Sequence, residues 1–140
     1  SAQVELWDEE MGADVHPKGI YTLPEMDLTH HTMPEAVAAI RDAAGAVMDD
    51  GKFLVTLGGE HSITPPLVAA AAARHPNLTV LQIDAHADLR DGYQGEPNSH
   101  AAAMRRSLDH APRLVSVGIR NISQEEVEAL TRVLSAPEKP

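Results

Sequence analysis

The stretch Thr79-Val80-Leu81-Gln82-Ile83-Asp84-Ala85-His86-Ala87-Asp88 decides the fold of this chain, because it begins as a strand and ends in charged side chains. Its first half is mostly apolar and partly β-branched, which is typical of a strand buried in a sheet. Asp84, His86 and Asp88 then occupy alternate positions, and residues two apart in an extended chain point the same way. A lone Asp-x-His pair is more often a solvated turn, but three such residues after an apolar strand favour a metal site. Imidazole and carboxylate ligands suit Mn, Fe or Zn, and the oxygen-rich set without thiolates favours Mn.

Apolar runs at 53–57 and 114–119 predict a strand on either side of this stretch, and their near-continuous hydrophobicity suits a parallel sheet covered on both faces. Helix-start signals, two of them capping boxes, lie between and around the strands. The predicted helices begin at Thr32-Met33-Pro34-Glu35, at Thr64-Pro65, at Ser99 and at Ser123-Gln124-Glu125-Glu126. Because strands and helices alternate, the sequence predicts an α/β fold with a mostly parallel sheet.

Three separate segments place polar side chains just after the ends of these predicted strands. They are His61, the segment Asp84–Asp88 and Arg120. Functional residues of parallel sheets gather at the carboxyl ends of the strands, so we expect the three segments to meet at one edge. Gly58 and Gly59 precede His61, and a glycine pair would let the backbone turn sharply and direct the imidazole inwards.

Composition limits what the chain does. Its 140 residues are enough for one domain with a core, and 43% of them are apolar. A formal net charge of −10 argues against nucleic acid and anionic membrane surfaces as partners, and it is compatible with a small cationic substrate. The absence of cysteine excludes disulfides, zinc–thiolate sites and a cysteine nucleophile. No run approaches the roughly 18 apolar residues of a membrane helix, and no signal peptide is recognised, so we expect a cytoplasmic protein.

Two paired motifs carry a family resemblance. Gly58-Gly59-Glu60-His61-Ser62 followed by Asp84-Ala85-His86-Ala87-Asp88 resembles the first two metal signatures of the ureohydrolases, the arginase and agmatinase family. Asn98-Ser99-His100 and Ser116-Val117-Gly118-Ile119-Arg120 also fall where that family has motifs, so the resemblance covers essentially the whole chain. It implies a three-layer arginase-like α/β fold, of which residues 1–140 would be the N-terminal part of a single domain.

The resemblance also implies a hydrolase that cleaves a guanidinium to urea and an amine with two Mn²⁺ ions. In the family pattern, one metal takes His61, Asp84 and Asp88, and the other takes His86 and shares Asp84. Two close dications make hydroxide available at neutral pH. His100 matches the catalytic histidine of the family, and it joins Asp88 in the expected catalytic centre. An unperturbed imidazole titrates near pH 6.5, which suits proton transfer to the leaving amine.

The residue two positions after Asp88 bears on the branch of the family. Arginases usually carry asparagine there to hold the head group of the substrate, whereas this chain has Arg90. With the Asn98 loop and the stretch Tyr21-Thr22-Leu23-Pro24, this resembles the agmatinase branch, which converts agmatine to putrescine and urea in polyamine biosynthesis. Arg90 and Asn98 are the candidate substrate contacts. Arg90 can also bind a carboxylate, so arginase or guanidino-acid hydrolase activity stays open. The resemblance further implies a homo-oligomer, either trimer or hexamer.

One family motif is missing from the chain. The family has a later S-x-D-x-D motif that supplies further metal ligands, and no D-x-D occurs here. Since Asp84 and Asp88 neutralise only two of the four charges of two dications, we expect the second metal site to be incomplete and the isolated chain to be inactive. One alternative is a complete, non-catalytic protein that binds one structural metal or pairs with a partner. Another alternative is a different two-metal hydrolase, such as a deacetylase or a phosphoesterase. In a phosphoesterase, Arg90 and Arg120 would contact the phosphate of the substrate.

Overall fold

The computed structural model describes residues 7–14 and 19–134. They fall into two compact units, the first within residues 1–30 and the second within residues 31–140. Across the described ranges, no helix combines the length and the hydrophobicity needed to cross a membrane.

The first unit contains a short antiparallel pair, β1 (Trp7–Asp8) and β2 (Ala13–Asp14). Asp8 stabilises the connection, because its side chain accepts a hydrogen bond from the backbone N–H of Met11 at 2.8 Å. Residues 19–28 of this unit form neither helix nor strand.

The second unit alternates helices and strands, as the sequence predicts. Its elements are α1 (Met33–Asp49), α2 (Thr64–Ala72), β3 (Thr79–Ile83), α3 (Ala103–Ser107), β4 (Arg113–Val117) and α4 (Gln124–Leu134). Single 3-10 turns at His61–Ile63 and His100–Ala102 precede α2 and α3. The helix predicted from Ser99 is therefore divided into a 3-10 turn and a short α-helix.

The predicted capping box at the start of α1 is present. One carboxylate oxygen of Glu35 accepts hydrogen bonds from the backbone N–H of Thr32 at 2.8 Å and from its hydroxyl at 2.7 Å. These bonds lower the pKa of Glu35 below its ordinary value of 4.5, the hydroxyl bond contributing most. The contact fixes the first turn of α1 through the charged form of the side chain.

The Glu35→Gln variant is expected to be slightly less stable than the unaltered protein at neutral pH. Because the folded-state pKa of Glu35 is depressed, its contribution is present above pH 4.5 and is lost as the pH falls through the folded-state value. Thermal unfolding should therefore separate variant and parent at pH 7 and not at pH 3. Glu25→Gln, at an exposed residue of the first unit, is the control. If Glu35→Gln lowered the melting temperature equally at pH 7 and pH 3, the charged form of Glu35 would not be what stabilises the first turn of α1.

The central strand pair is parallel. β3 and β4 pair in the register Thr79↔Arg113 through Ile83↔Val117, and the ladder continues where the N–H of Asp84 donates to the carbonyl of Val117 at 3.1 Å. A parallel pair needs a crossover connection, which α3 supplies. The predicted mostly parallel α/β fold is thus confirmed for this part of the chain.

A helical layer covers one face of the pair. Val80 and Leu114 pack against a buried cluster that includes Met104 of α3 and Leu89. Helix α1 packs on α2, and α2 packs on α3, so the three helices form one continuous layer. The buried amide of Gln82 contributes a polar link, because it accepts from the hydroxyl of Ser116 at 2.7 Å and donates to the carbonyl of His86 at 2.9 Å.

The opposite face of the pair is apolar and open to solvent. Leu81 and Ile83 of β3 and Val115 and Val117 of β4 are all exposed, with Ile83 reaching 79%. Alternate residues of a strand face opposite sides, so these four side chains form one surface. The described chain therefore contains two of the three layers that the family resemblance implies.

The strand predicted at 53–57 is wrong for this structure. The segment forms no helix or strand, and Phe53 and Leu57 are 94% and 88% exposed. An apolar run forms a strand only where neighbouring strands complete its hydrogen bonds and other layers cover its side chains. Within the part of the chain that the structure describes, no strand pairs with this segment.

Gly118 follows β4 and lies against the backbone of Asp84, a predicted metal ligand. Its φ is +87°, and a Cβ at this position would lie 3.2 Å from the carbonyl oxygen of Asp84. Gly118→Ala combines backbone strain with this close contact, so we expect a stability loss of about 1–3 kcal/mol, measured by guanidinium chloride unfolding. Gly95→Ala is the matched control, because Gly95 has a φ of +84° with open space around its Cβ position. If the two variants lost equal stability, the close approach to Asp84 would be unimportant.

Candidate metal centre

Three predicted ligands meet at the carboxyl edge of the sheet. His61, Asp84 and Asp88 each offer one ligand atom, and these atoms all lie within 4.8 Å of one another. The Nδ1 atom of His61 is 2.7 Å from Oδ2 of Asp88 and 3.7 Å from Oδ2 of Asp84. The group joins the start of the α2 segment to the segment that follows β3.

Local hydrogen bonds orient His61. It opens a 3-10 turn that the side chain of Glu60 caps by accepting from the N–H of Ser62 at 2.7 Å. The sharp turn predicted at the glycine pair does not use a left-handed backbone, because neither Gly58 nor Gly59 has a positive φ. A Cβ at Gly58 would lie 2.5 Å from the end of the Ile63 side chain, so a larger residue there requires that side chain to shift.

Asp84 is held in its charged form. Its Oδ1 accepts a hydrogen bond from the backbone N–H of His86 at 2.8 Å. This bond lowers the pKa of Asp84 below its ordinary value and outweighs the opposing effect of partial burial. A carboxylate that is already ionised is ready to bind a cation.

Asp88 has an unusual backbone conformation. Its φ of +53° lies in the left-handed region, which side chains other than glycine rarely adopt. Its carbonyl accepts hydrogen bonds from the N–H groups of Met104 at 2.9 Å and Arg105 at 3.0 Å, in the first turn of α3. The residue is only 8% exposed, and this burial raises the pKa of its carboxyl, although the contact with His61 opposes the shift.

His86 is next to the His61–Asp84–Asp88 group but is not one of its members. Its Nδ1 is 3.5 Å from Oδ1 of Asp84, and its side chain is 63% exposed. The chain leaves the extended conformation after β3, so the alternation expected of a strand does not continue to Asp88. The second metal position, with His86 and a shared Asp84, stays a prediction.

The candidate catalytic histidine lies in the same cleft. The Nδ1 atom of His100 is 3.5 Å from Oε1 of Glu60, and its ring meets that of Tyr93 edge to face with centroids 5.7 Å apart. The guanidinium carbon of Arg90 lies 5.6 Å from the centre of the Tyr93 ring. The predicted proton donor and one predicted substrate contact thus share the Tyr93 side chain as a neighbour.

Ten residues from several segments line this open cleft of about 550 Å³. They are His61, Asp84, His86, Asp88, Arg90, Tyr93, His100, Ala101, Asn121 and Glu126. Asn98 is outside this lining, and its backbone N–H donates to Glu96 at 2.8 Å, so its substrate role stays a prediction. Arg120 is also outside, where its N–H donates to the carbonyl of Ala85 at 2.9 Å.

Four residues of the cleft lining were not predicted from the sequence: Ala101 and three with polar side chains. Tyr93 lies in a loop that predicts turns only, and no motif marks Asn121, which bridges to His86 in the sheet register. Glu126 is part of a recognisable sequence pattern, the capping box with Ser123, but that pattern predicts only the start of a helix. No local pattern reveals that its side chain reaches the cleft.

The donor set fits a divalent cation. One imidazole and two carboxylates bring two negative charges, and nitrogen and oxygen ligands suit first-row metals. In residues 7–14 and 19–134, this is the one group of three or more potential ligands close enough to hold an ion. The fold and the site together define an α/β protein with a His-Asp-Asp group, close enough to hold a metal ion, at the edge of a parallel sheet.

A model described as the Arginase family matches residues 1–136, and the chain belongs to this family. The N(1)-aminopropylagmatine ureohydrolase of Synechocystis sp. is 39% identical over 93% of this chain and 44% of its own length. The agmatinase of Bacillus anthracis is 40% identical over 64% of this chain and 31% of its own length. The crystal structure of an agmatine ureohydrolase of Thermoplasma volcanium superposes with a TM-score of 0.78 at 36% identity, covering 91% of this chain and 43% of that one.

These relatives confirm the predicted family and the predicted arginase-like fold. The chain spans less than half the length of each of them.

Proposed function

We propose that the protein containing residues 1–140 hydrolyses the guanidinium group of agmatine or a closely related polyamine and releases urea. The observation that carries the proposal is the His61–Asp84–Asp88 group at the sheet edge of an arginase-family chain. Similar proteins named agmatinase and N(1)-aminopropylagmatine ureohydrolase support the substrate class.

Mn²⁺ is the proposed cofactor. His61, Asp84 and Asp88 would hold one ion, and His86 with a shared Asp84 would contribute to a second. Divalent ions bound in such a site supply a water of lowered pKa as the nucleophile at neutral pH. The second site needs carboxylates beyond those that the described residues bring to the cleft.

His100 is the proposed proton donor to the leaving amine. Its place in the cleft wall leaves it free to face a substrate, and its Nδ1 atom lies 3.5 Å from Oε1 of Glu60. The edge-to-face contact with Tyr93 limits rotation of the imidazole. These contacts orient the ring, so the geometry supports transfer of a proton within the cleft.

The surroundings of Arg90 bear on the choice of guanidino substrate. Arg90 lines the cleft together with Asp84, Asp88 and Glu126. Arg90 lies over the Tyr93 ring, and its charge also lowers the pKa of Glu126, so its guanidinium already has neighbours within the protein. This supports agmatine, which lacks a carboxylate, over arginine or another guanidino acid.

A second candidate substrate is N(1)-aminopropylagmatine. The Synechocystis relative named for it matches 93% of this chain, whereas the Bacillus anthracis agmatinase matches 64%. Its longer cationic tail would extend from the same guanidinium position along the open cleft.

Residues 1–140 are proposed to be the N-terminal part of a single ureohydrolase-like domain in the cytoplasm. The open apolar face around Leu81, Ile83, Val115 and Val117 supports this, because such a face is normally covered in a parallel sheet. The trimer or hexamer implied by the family resemblance belongs to the same proposal, and light scattering after size exclusion tests it.

The test is urea release by the natural protein that contains these residues. Metal-free enzyme is loaded with Mn²⁺ and given agmatine, N(1)-aminopropylagmatine and arginine at equal concentration. We expect release from one of the two polyamines, a much slower reaction with arginine, and loss of activity on chelation. No urea from any of the three would overturn the proposal and favour the non-catalytic alternative.

A further inference from the structure

Glu126 makes a long-range contact that a helix-capping residue does not need. It lies in the first turn of α4 and is only 6% exposed. Its Oε2 accepts from the backbone N–H of Ser123 at 2.7 Å and from the Ser123 hydroxyl at 2.8 Å, which completes the capping box. Its Oε1 accepts from the backbone N–H of Leu89 at 3.0 Å, 37 residues earlier in the chain.

Leu89 directly follows the metal ligand with the left-handed backbone. A left-handed conformation at a residue other than glycine persists only where the surrounding structure holds it. The carbonyl of Asp88 is held from one side by the N–H groups of Met104 and Arg105, and the amide of Leu89 is held from the other side by Glu126. The turn at Asp88 is thus fixed between α3 and α4.

The charged form of Glu126 suits this role. Burial alone would raise its pKa, but the hydrogen bonds from Ser123 and Leu89 together lower the pKa below the ordinary value of 4.5. A buried, ionised carboxylate makes short and strong hydrogen bonds to N–H groups. The link between α4 and the Asp88 turn is therefore present at neutral pH.

We propose that Glu126 is a positioning residue that sets the cation affinity of the His61–Asp84–Asp88 group by holding the backbone turn after Asp88. The inference rests on the proposed metal site and goes beyond the proposed function, because it assigns control of that site to a side chain outside the ligand set. Loss of the Leu89–Glu126 bond would let Asp88 leave its left-handed conformation, and its carboxylate would move away from Nδ1 of His61.

The neighbouring residue offers a matched control. Glu125 has the same charge in the same helical turn, but it is exposed, and its contact with the N–H of Asp91 is longer, at 3.4 Å. Glu125→Ala therefore removes one negative charge near the cleft without releasing the Asp88 turn. Ser123→Ala weakens the capping box while leaving the acceptor for Leu89 in place.

The experiment titrates Mn²⁺ into metal-free natural protein and its variants by calorimetry. Glu126→Ala is expected to weaken Mn²⁺ affinity about 10–100-fold, the loss typical of residues that orient metal ligands. The loss should be the same at low and at high salt. Glu125→Ala and Ser123→Ala should stay within about threefold of the unaltered protein, since distant charge effects are small and screened by salt. Glu126→Gln, which retains one acceptor oxygen, should give an intermediate loss and remains available if the alanine variant does not fold.

Amide hydrogen exchange in the metal-free state gives a second readout. The Leu89 amide should exchange faster in Glu126→Ala than in Ser123→Ala, although both variants lose part of the α4 cap. Mn²⁺ affinity in the Glu126 variants equal to that in Glu125→Ala would overturn the inference alone. If the unaltered protein bound no Mn²⁺, both this inference and the proposed metal site would fail.

Discussion

Replacing Asp88 by asparagine is expected to reduce urea release and Mn²⁺ affinity by more than about 100-fold, beyond the loss typical of residues that only orient a ligand. Asp88 brings one of the two negative charges of the His61–Asp84–Asp88 group, and its Oδ2 is the carboxylate oxygen nearest to Nδ1 of His61, at 2.7 Å. Removing that charge leaves His61 and one carboxylate to hold a dication. Asparagine offers one neutral amide oxygen in place of the carboxylate.

Asparagine is the informative replacement because of the backbone at this position. Asp88 has a φ of +53°, and asparagine is among the side chains that adopt the left-handed region most readily. The turn should therefore remain, and the loss reports on the carboxylate alone. Asp88→Ala adds backbone strain and should also lower the melting temperature.

Asp50→Asn is the control for this experiment, because Asp50 is exposed at the end of α1. Its activity and Mn²⁺ affinity should match those of the unaltered protein. If Asp88→Asn kept its activity within about threefold of the unaltered protein, Asp88 would not be a metal ligand. Loss of a ligand should cost more than the loss of a contact that only supports a ligand.

Met104→Ala is expected to lower the free energy of unfolding by about 2–5 kcal/mol, a range typical of large-to-small changes in a core. Met104 is 1% exposed and packs with Leu89 and Ala103 between the helical layer and the strand pair. Its backbone N–H also holds the carbonyl of Asp88, and this bond is kept in the variant. The loss therefore reports on side-chain packing.

Guanidinium chloride unfolding measures the effect of Met104→Ala. Met104→Leu conserves most of the volume and should cost less than about 1.5 kcal/mol. Met11→Ala, at a 61% exposed residue, should change stability by less than about 0.5 kcal/mol. A similarly small effect of Met104→Ala would show that this cluster is not the core of the unit.

The parts of the fold that follow from local chemistry were predictable from the sequence. The Thr32–Glu35 capping box starts α1, and the apolar runs that contain β3 and β4 form a parallel pair. The predicted ligands His61, Asp84 and Asp88 do come together, although of the two strands predicted to precede them only β3 forms.

The features that depend on distant partners were not predictable. Phe53 and Leu57 lie in a segment as apolar as β3, but a strand needs neighbours, and none pairs with them in the described ranges. The left-handed turn at Asp88 is held by residues of α3 and α4, so no local pattern indicates it. Glu126 fits a capping box completely, which hides its contact with Leu89.

The central claim is that His61, Asp84 and Asp88 bind a divalent cation in a ureohydrolase. Anomalous diffraction at the manganese edge, on crystals of the natural protein grown with Mn²⁺, tests it most directly. The account predicts an anomalous peak within coordination distance of the His61 imidazole and of one carboxylate oxygen from each of Asp84 and Asp88. A map with no peak among these three side chains, or with manganese bound only elsewhere, would contradict it.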